Sequence, residues 1–89
     1  MDNQTLQTIA QRGFAALQGQ NFAEAHRLFG EIVAAGAATP PIYYLQAEAA
    51  FHLNRLDEAD TALAQALAAD PSNIPALILK ADILSARGE

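Results

Sequence analysis

Asn21-Phe22-Ala23-Glu24-Ala25 returns thirty-four residues later as Arg55-Leu56-Asp57-Glu58-Ala59. The same shift carries Phe29 onto Leu63 and Val33 onto Leu67. On the N-terminal side of each copy it runs through two steps: Ile9 to Tyr43 to Leu77, Gly13 to Ala47 to Ala81, Ala16 to Ala50 to Leu84, and Gln20 to Asn54 to Gly88. Large residues fall on large ones and small on small, with few exceptions. A fixed period of this length marks an array of stacked supersecondary units, and it is the first thing to look for in a chain.

Punctuation between the periodic stretches divides the chain into five helices. Asp2 or Asn3 can cap a first helix of about residues 3–18, which Gly19-Gln20 ends. Asn21 with Glu24 three residues on has the form of a capping box for a second helix over about 22–35. Gly36 suits its C-terminal cap. Thr39-Pro40-Pro41 opens a third helix running to about Leu53, since proline is tolerated in a first turn. A fourth covers about 57–69 and stops before Pro71, and Ser72-Asn73 starts a fifth that reaches about Arg87.

Small residues at matched positions give these helices a reason to pair. Gly13 and Ala25 let the first two approach closely, and Ala47 and Ala59 do the same for the third and fourth. Phe22, Phe29, Leu56 and Leu63 then fill the space beside each close contact. One hairpin of this size cannot bury its apolar face alone, so the core is completed by stacking on the next.

Composition excludes several functions. The 89-residue chain is 52% hydrophobic and 17% charged, too apolar for a disordered tail. It has no cysteine, which rules out disulfides and thiolate zinc sites, and two separated histidines build no Cys/His metal site. The net charge is −5, and the five basic residues, Arg12, Arg27, Arg55, Lys80 and Arg87, are scattered singly. Without a basic patch, neither nucleic acid nor an anionic membrane is the expected partner. A neutral or basic one is electrostatically easier. Met1-Asp2-Asn3-Gln4 holds no basic stretch leading into an apolar one, and no membrane span is visible, so the expected location is cytoplasmic.

Two segments carry a family resemblance: Gly19-Gln20-Asn21-Phe22-Ala23-Glu24-Ala25, and Leu63-Ala64-Gln65-Ala66-Leu67-Ala68-Ala69-Asp70-Pro71. They resemble the second-helix opening and the closing turn of the tetratricopeptide repeat. The resemblance spans nearly the whole chain: one repeat over about 6–39, a second over about 40–73, and the first helix of a third over about 74–89. It implies an all-α, right-handed α–α superhelix of five helices, acting as a protein-interaction module. The sequence departs from the pattern twice. Ile9 stands where an early aromatic is usual, though Tyr43 supplies it in the second repeat. Ala37 replaces the closing proline of the first repeat, with Pro40 and Pro41 displaced downstream.

The same resemblance implies that first helices line a concave groove. In that register the groove presents Gln7, Ala10, Phe14, Leu17 and Gln18, then Tyr44, Glu48, Phe51 and His52, then Ile78, Asp82 and Ser85. The spacings put each set on one helical face. Gln7, Phe14, Tyr44, Glu48, Phe51, His52 and Asp82 are the candidates for contact with a partner protein or peptide. Aromatics suit such a surface because they bury much area at low entropy cost, and Glu48 and Asp82 would hold a basic residue. Against this stands packing of the aromatics as core and simple solvation of the two acids. Capture of a chaperone-tail carboxylate, known for some members of the family, is not expected: the matching positions are Ala10, Phe14, Leu45, Pro75 and Leu79, none of them a donor.

No catalytic constellation, cofactor motif or metal site is found, so an enzyme is not expected. His26 reads as an outward surface residue, His52 as a groove or surface one, and Asp57, Glu58 and Asp60 as acids complementing the start of the fourth helix. The fifth helix is apolar on more than one side, and Ile74, Leu77, Ile78, Ile83 and Leu84 cannot all face its neighbours. Ile78, Ile83 and Leu84 are therefore candidates for an assembly surface. Either further chain covers it, as in a targeting or structural segment of a larger enzyme, or the helix forms a homodimer with its twin.

Overall fold

The computed structural model describes residues 2–88, among which five helices follow one another: α1 (Asn3–Gln18), α2 (Phe22–Ala34), α3 (Pro40–His52), α4 (Leu56–Ala69) and α5 (Ile74–Ala86). Every expected helix is present. The bounds of the second to fifth shift by about a residue, the usual fraying of helix ends. Each helix packs on the next, and α3 also touches α5.

The caps form from the residues that promised them. Asp2 Oδ1 accepts the Thr5 amide at 2.7 Å, Asn21 Oδ1 that of Glu24 at 3.3 Å, and Asn73 Oδ1 that of Ala76 at 3.1 Å. The capping box is completed on one side only, because Glu24 turns away to pair with Arg27. Thr39 supplies no side-chain cap, and prolines open α3 instead.

The period is visible in the backbone. Gln20 and Asn54 both take φ 61°, and Gly88 takes 84°. In the first two turns the next amide reaches back five residues, from Asn21 to Ala16 O at 2.8 Å and from Arg55 to Ala50 O at 2.9 Å, closing the same helix-ending motif. The connections between hairpins differ. Gly36 at φ 72° ends α2, whereas α4 ends in a turn where Asp70 Oδ1 accepts the Ser72 amide and hydroxyl. The missing proline at Ala37 thus coincides with a glycine-based turn.

Two apolar clusters result. Ile9, Ala25, Leu28, Phe29 and Ile32 join Ile42 and Ala49 of α3, and Ala47 and Ala50 on another side of α3 join Ala59, Leu63, Ala76, Leu79 and Ile83. A helix apolar all round belongs in an interior, and α3 has that place between α2 and α4. Helix α5 is equally apolar but is covered on one side only, leaving Ile74, Leu77 and Ile78 exposed. Ile83 corrects the expectation for this helix. It is fully buried against α4 and belongs to the core, not to an open surface.

Candidate partner-binding groove

Tyr44 lies at the middle of the groove-lining set, half-buried against the second cluster. Burial pushes its phenol above the ordinary value, and the carboxylates of Glu48 and Asp82 push it further in the same direction. Glu48 is one turn along α3 from Tyr44, and Asp82 is on α5, which α3 touches. Among the described carboxylates, Glu48 and Asp82 alone have neither a hydrogen bond nor an ion pair; Asp2 and Asp70 cap turns, and Glu24, Glu31, Asp57, Glu58 and Asp60 pair with cations.

The remaining residues divide. Phe51 packs on the second cluster and meets His52 edge-on, with ring centres 5.6 Å apart. His52 in turn stacks on Phe22 at 4.2 Å with the planes 12° apart, which ties the end of α3 to the start of α2. Its ring is therefore engaged within the molecule although the residue is exposed. Phe14 sits edge-on to Phe29 at 6.0 Å and remains 45% exposed. Gln7 is exposed on α1, and no hydrogen bond or ring contact joins it or Phe14 to the Tyr44 group.

On another side of α3 lies a cleft of about 570 Å³, lined by His26 and Val33 of α2, Tyr43 and Gln46 of α3, and Glu58 and Thr61 of α4. His26 is not the outward residue expected from its place in the sequence. Its Nε2 lies 3.2 Å from Glu58 Oε2, and the side chain is only 20% exposed. The acids at the start of α4 likewise do more than complement a dipole. Asp60 takes Lys80 at 2.6 Å and Arg87 at 3.4 Å, and Asp57 is 3.8 Å from Arg87, so α4 and α5 are joined by charge. These pairs join residues far apart in sequence, and no local spacing announces them. At this cleft Glu58 answers His26 and Asp57 answers Arg87, whereas Glu48 and Asp82 have no partner.

Among the described residues no cluster of three or more His, Asp or Glu could hold a metal, and no helix is long and apolar enough to cross a membrane. A family model described as tetratricopeptide repeat matches residues 16–83. The chain belongs to the tetratricopeptide-repeat family. Tetratricopeptide repeats are in general non-catalytic modules that mediate binding between proteins, and the stacked hairpins with small residues at their crossings fit that family throughout the matched region. No curated protein and no solved structure matches this tetratricopeptide-repeat chain.

Proposed function

We propose that this tetratricopeptide-repeat chain binds an extended segment of a partner protein along its groove, without catalysing a reaction, and that a lysine or arginine of the segment sits between Glu48 and Asp82 beside Tyr44. One observation supports the reading: two unpaired carboxylates, Glu48 one turn from Tyr44 on α3 and Asp82 on α5, both hold the phenol of this half-buried aromatic above its ordinary value. In a protein whose other described acids are all engaged, that pair is the natural counterpart of a cation. Phe51 and the exposed edge of Phe14 add apolar area on the same series of first helices, of the kind that anchors binding hot spots. The polarity is opposite to that of a carboxylate-capturing groove, since Ala10, Phe14, Leu45, Pro75 and Leu79 offer no donor.

Fluorescence anisotropy with short peptides tests this. The peptides share an apolar frame and differ only in carrying Lys, Ala or Glu at the centre. The Lys peptide is expected to bind and the Glu peptide to fail. Glu48→Lys and Asp82→Lys should each weaken the Lys peptide about tenfold or more, equivalent to ~1.4 kcal/mol. Added salt should weaken it as well. Gln65→Lys, on α4, should leave binding unchanged. Equal binding of all three peptides, or indifference to both charge reversals, would sink the reading.

A further inference from the structure

The expected groove positions of α1, α3 and α5 fall into rows. Phe14, Glu48 and Asp82 stand thirty-four residues apart, and so do Ala10, Tyr44 and Ile78. The helices that carry them are neighbours: α1 and α3 share the first apolar cluster, and α3 touches α5. Phe14 is 45% exposed with α2 and α3 in place. Glu48 stays partly open although α3 has a helix pair packed on each side of it, and Asp82 is exposed. The packing of the hairpins therefore leaves the Phe14–Glu48–Asp82 row open.

Charge changes along this row. On α1 the expected groove residues, Gln7, Ala10, Phe14, Leu17 and Gln18, carry none. On α3 and α5 the row holds Glu48 and Asp82, the two carboxylates without a partner. Its complement is a segment that is apolar at one end and basic at the other. Packed helix axes lie about 8–10 Å apart, so a cation held between α3 and α5 is about 12–15 Å from the α1 position. An extended chain advances ~3.3 Å per residue and turns the same side down at every second one. Two residues cover about 7 Å, six about 20 Å, and four about 13 Å, so four is the spacing that fits. A helical segment would cover only about 6 Å in four residues, short of one helix spacing.

We infer that the partner is an extended segment with a large apolar residue four positions from its basic one, the apolar side chain on the open edge of Phe14 and the basic one between Glu48 and Asp82. The assignment rests on the cation site proposed above and adds a second contact and a spacing to it. Phe14 suits an anchor of this kind. Its ring stands edge-on to Phe29, which is fully buried, so the exposed side is offered from a supported position. Binding surfaces draw most of their energy from a few such aromatic contacts.

Fluorescence anisotropy with labelled peptides of one length tests the inference. Each carries one Lys in a neutral Ser-Ala background, and all but one carry a single Leu two, three, four or six positions away, on either side. With Leu at four positions, in one of the two orders, binding should be about tenfold tighter than with Lys alone. The other spacings should give little of that gain. Phe14→Ser, at an exposed position, should erase the gain and leave the affinity for the Lys-only peptide unchanged. The peptide series on the unaltered protein decides the spacing even where that variant folds poorly. Equal binding whatever the place of Leu, or a gain that survives in folded Phe14→Ser, would overturn the inference and leave the cation site standing. Failure of every Lys peptide would remove both.

Discussion

The ring of Phe29 lies across the backbone of Gly13: a Cβ at Gly13 would stand 2.7 Å from Phe29 Cζ and 2.8 Å from Cε1. Phe29 is fully buried, so its ring has no free direction in which to yield. The second hairpin solves the same crossing with smaller parts, Ala47 and Leu63, in one buried cluster. Glycine with phenylalanine and alanine with leucine are two fillings of one site.

Gly13→Ala should therefore destabilise the fold even though it improves helix propensity. The propensity gain is about 1 kcal/mol and the overpacking cost about 1–3 kcal/mol, for a net loss of about 1 kcal/mol. Phe29→Leu alone should also destabilise, by opening a void. The two together copy the second hairpin and should lose less than the sum, with a coupling of at least about 0.5 kcal/mol. Urea unfolding of all four proteins measures it, and strict additivity would refute the idea of a shared site.

Gln20 and Asn54 hold the same left-handed turn at φ 61° with different tolerance for it. A residue with a Cβ is strained there by ~1–2 kcal/mol, while asparagine is among the few that accept the region. After the backbone entropy of glycine is set against it, Gln20→Gly should raise stability by about 0.5–1 kcal/mol. Asn54→Gly should gain less. Thermal unfolding followed by circular dichroism distinguishes the two, and an equal response would mean that the turns are not equivalent.

Tyr44 should ionise above the ordinary phenol value, since burial, Glu48 and Asp82 all oppose its anion. Tyr43→Phe leaves it the one phenol in the chain and lets ultraviolet absorbance follow it alone. Burial is the largest cause, so Glu48→Gln should bring the value back only in part. The folded state prefers the neutral phenol. Stability is therefore unaffected below the unfolded value and declines as pH rises past it. A lysine peptide bound beside Tyr44 should lower the value, and an ordinary titration in the free protein would contradict the convergence of the three residues.

At the acid end, Asp2 accepts the Thr5 amide, and these hydrogen bonds hold its carboxyl below the ordinary range. The ionised form is the one the fold favours. Its contribution is present above the unfolded value and is lost as pH falls through the folded one. Exchange of the amides in the first turn of α1 should accelerate in acid, and Asp2→Asn, which keeps a capping oxygen, should flatten that dependence. Identical acid profiles for the two proteins would remove the carboxylate from the account.

The sequence by itself determined the helices, their caps and their crossings. Those signals are local: a capping oxygen acts within three residues, a turn within six, and a repeat makes Gly13 and Ala47 alike because the same contact recurs. It also foresaw that α5 carries more apolar surface than its neighbours cover. Only the tertiary structure decided which of those residues stay outside. Ile83 and Ile78 are chemically the same, but the first points into the cluster with α4 and the second away from it. Tertiary packing likewise let the charge of Asp82, on α5, raise the Tyr44 phenol on α3, brought His26 onto Glu58, and turned His52 to the face of Phe22. Such pairs depend on how one hairpin is rotated on the next, and that rotation comes from the summed packing of many side chains. No short stretch of sequence encodes it.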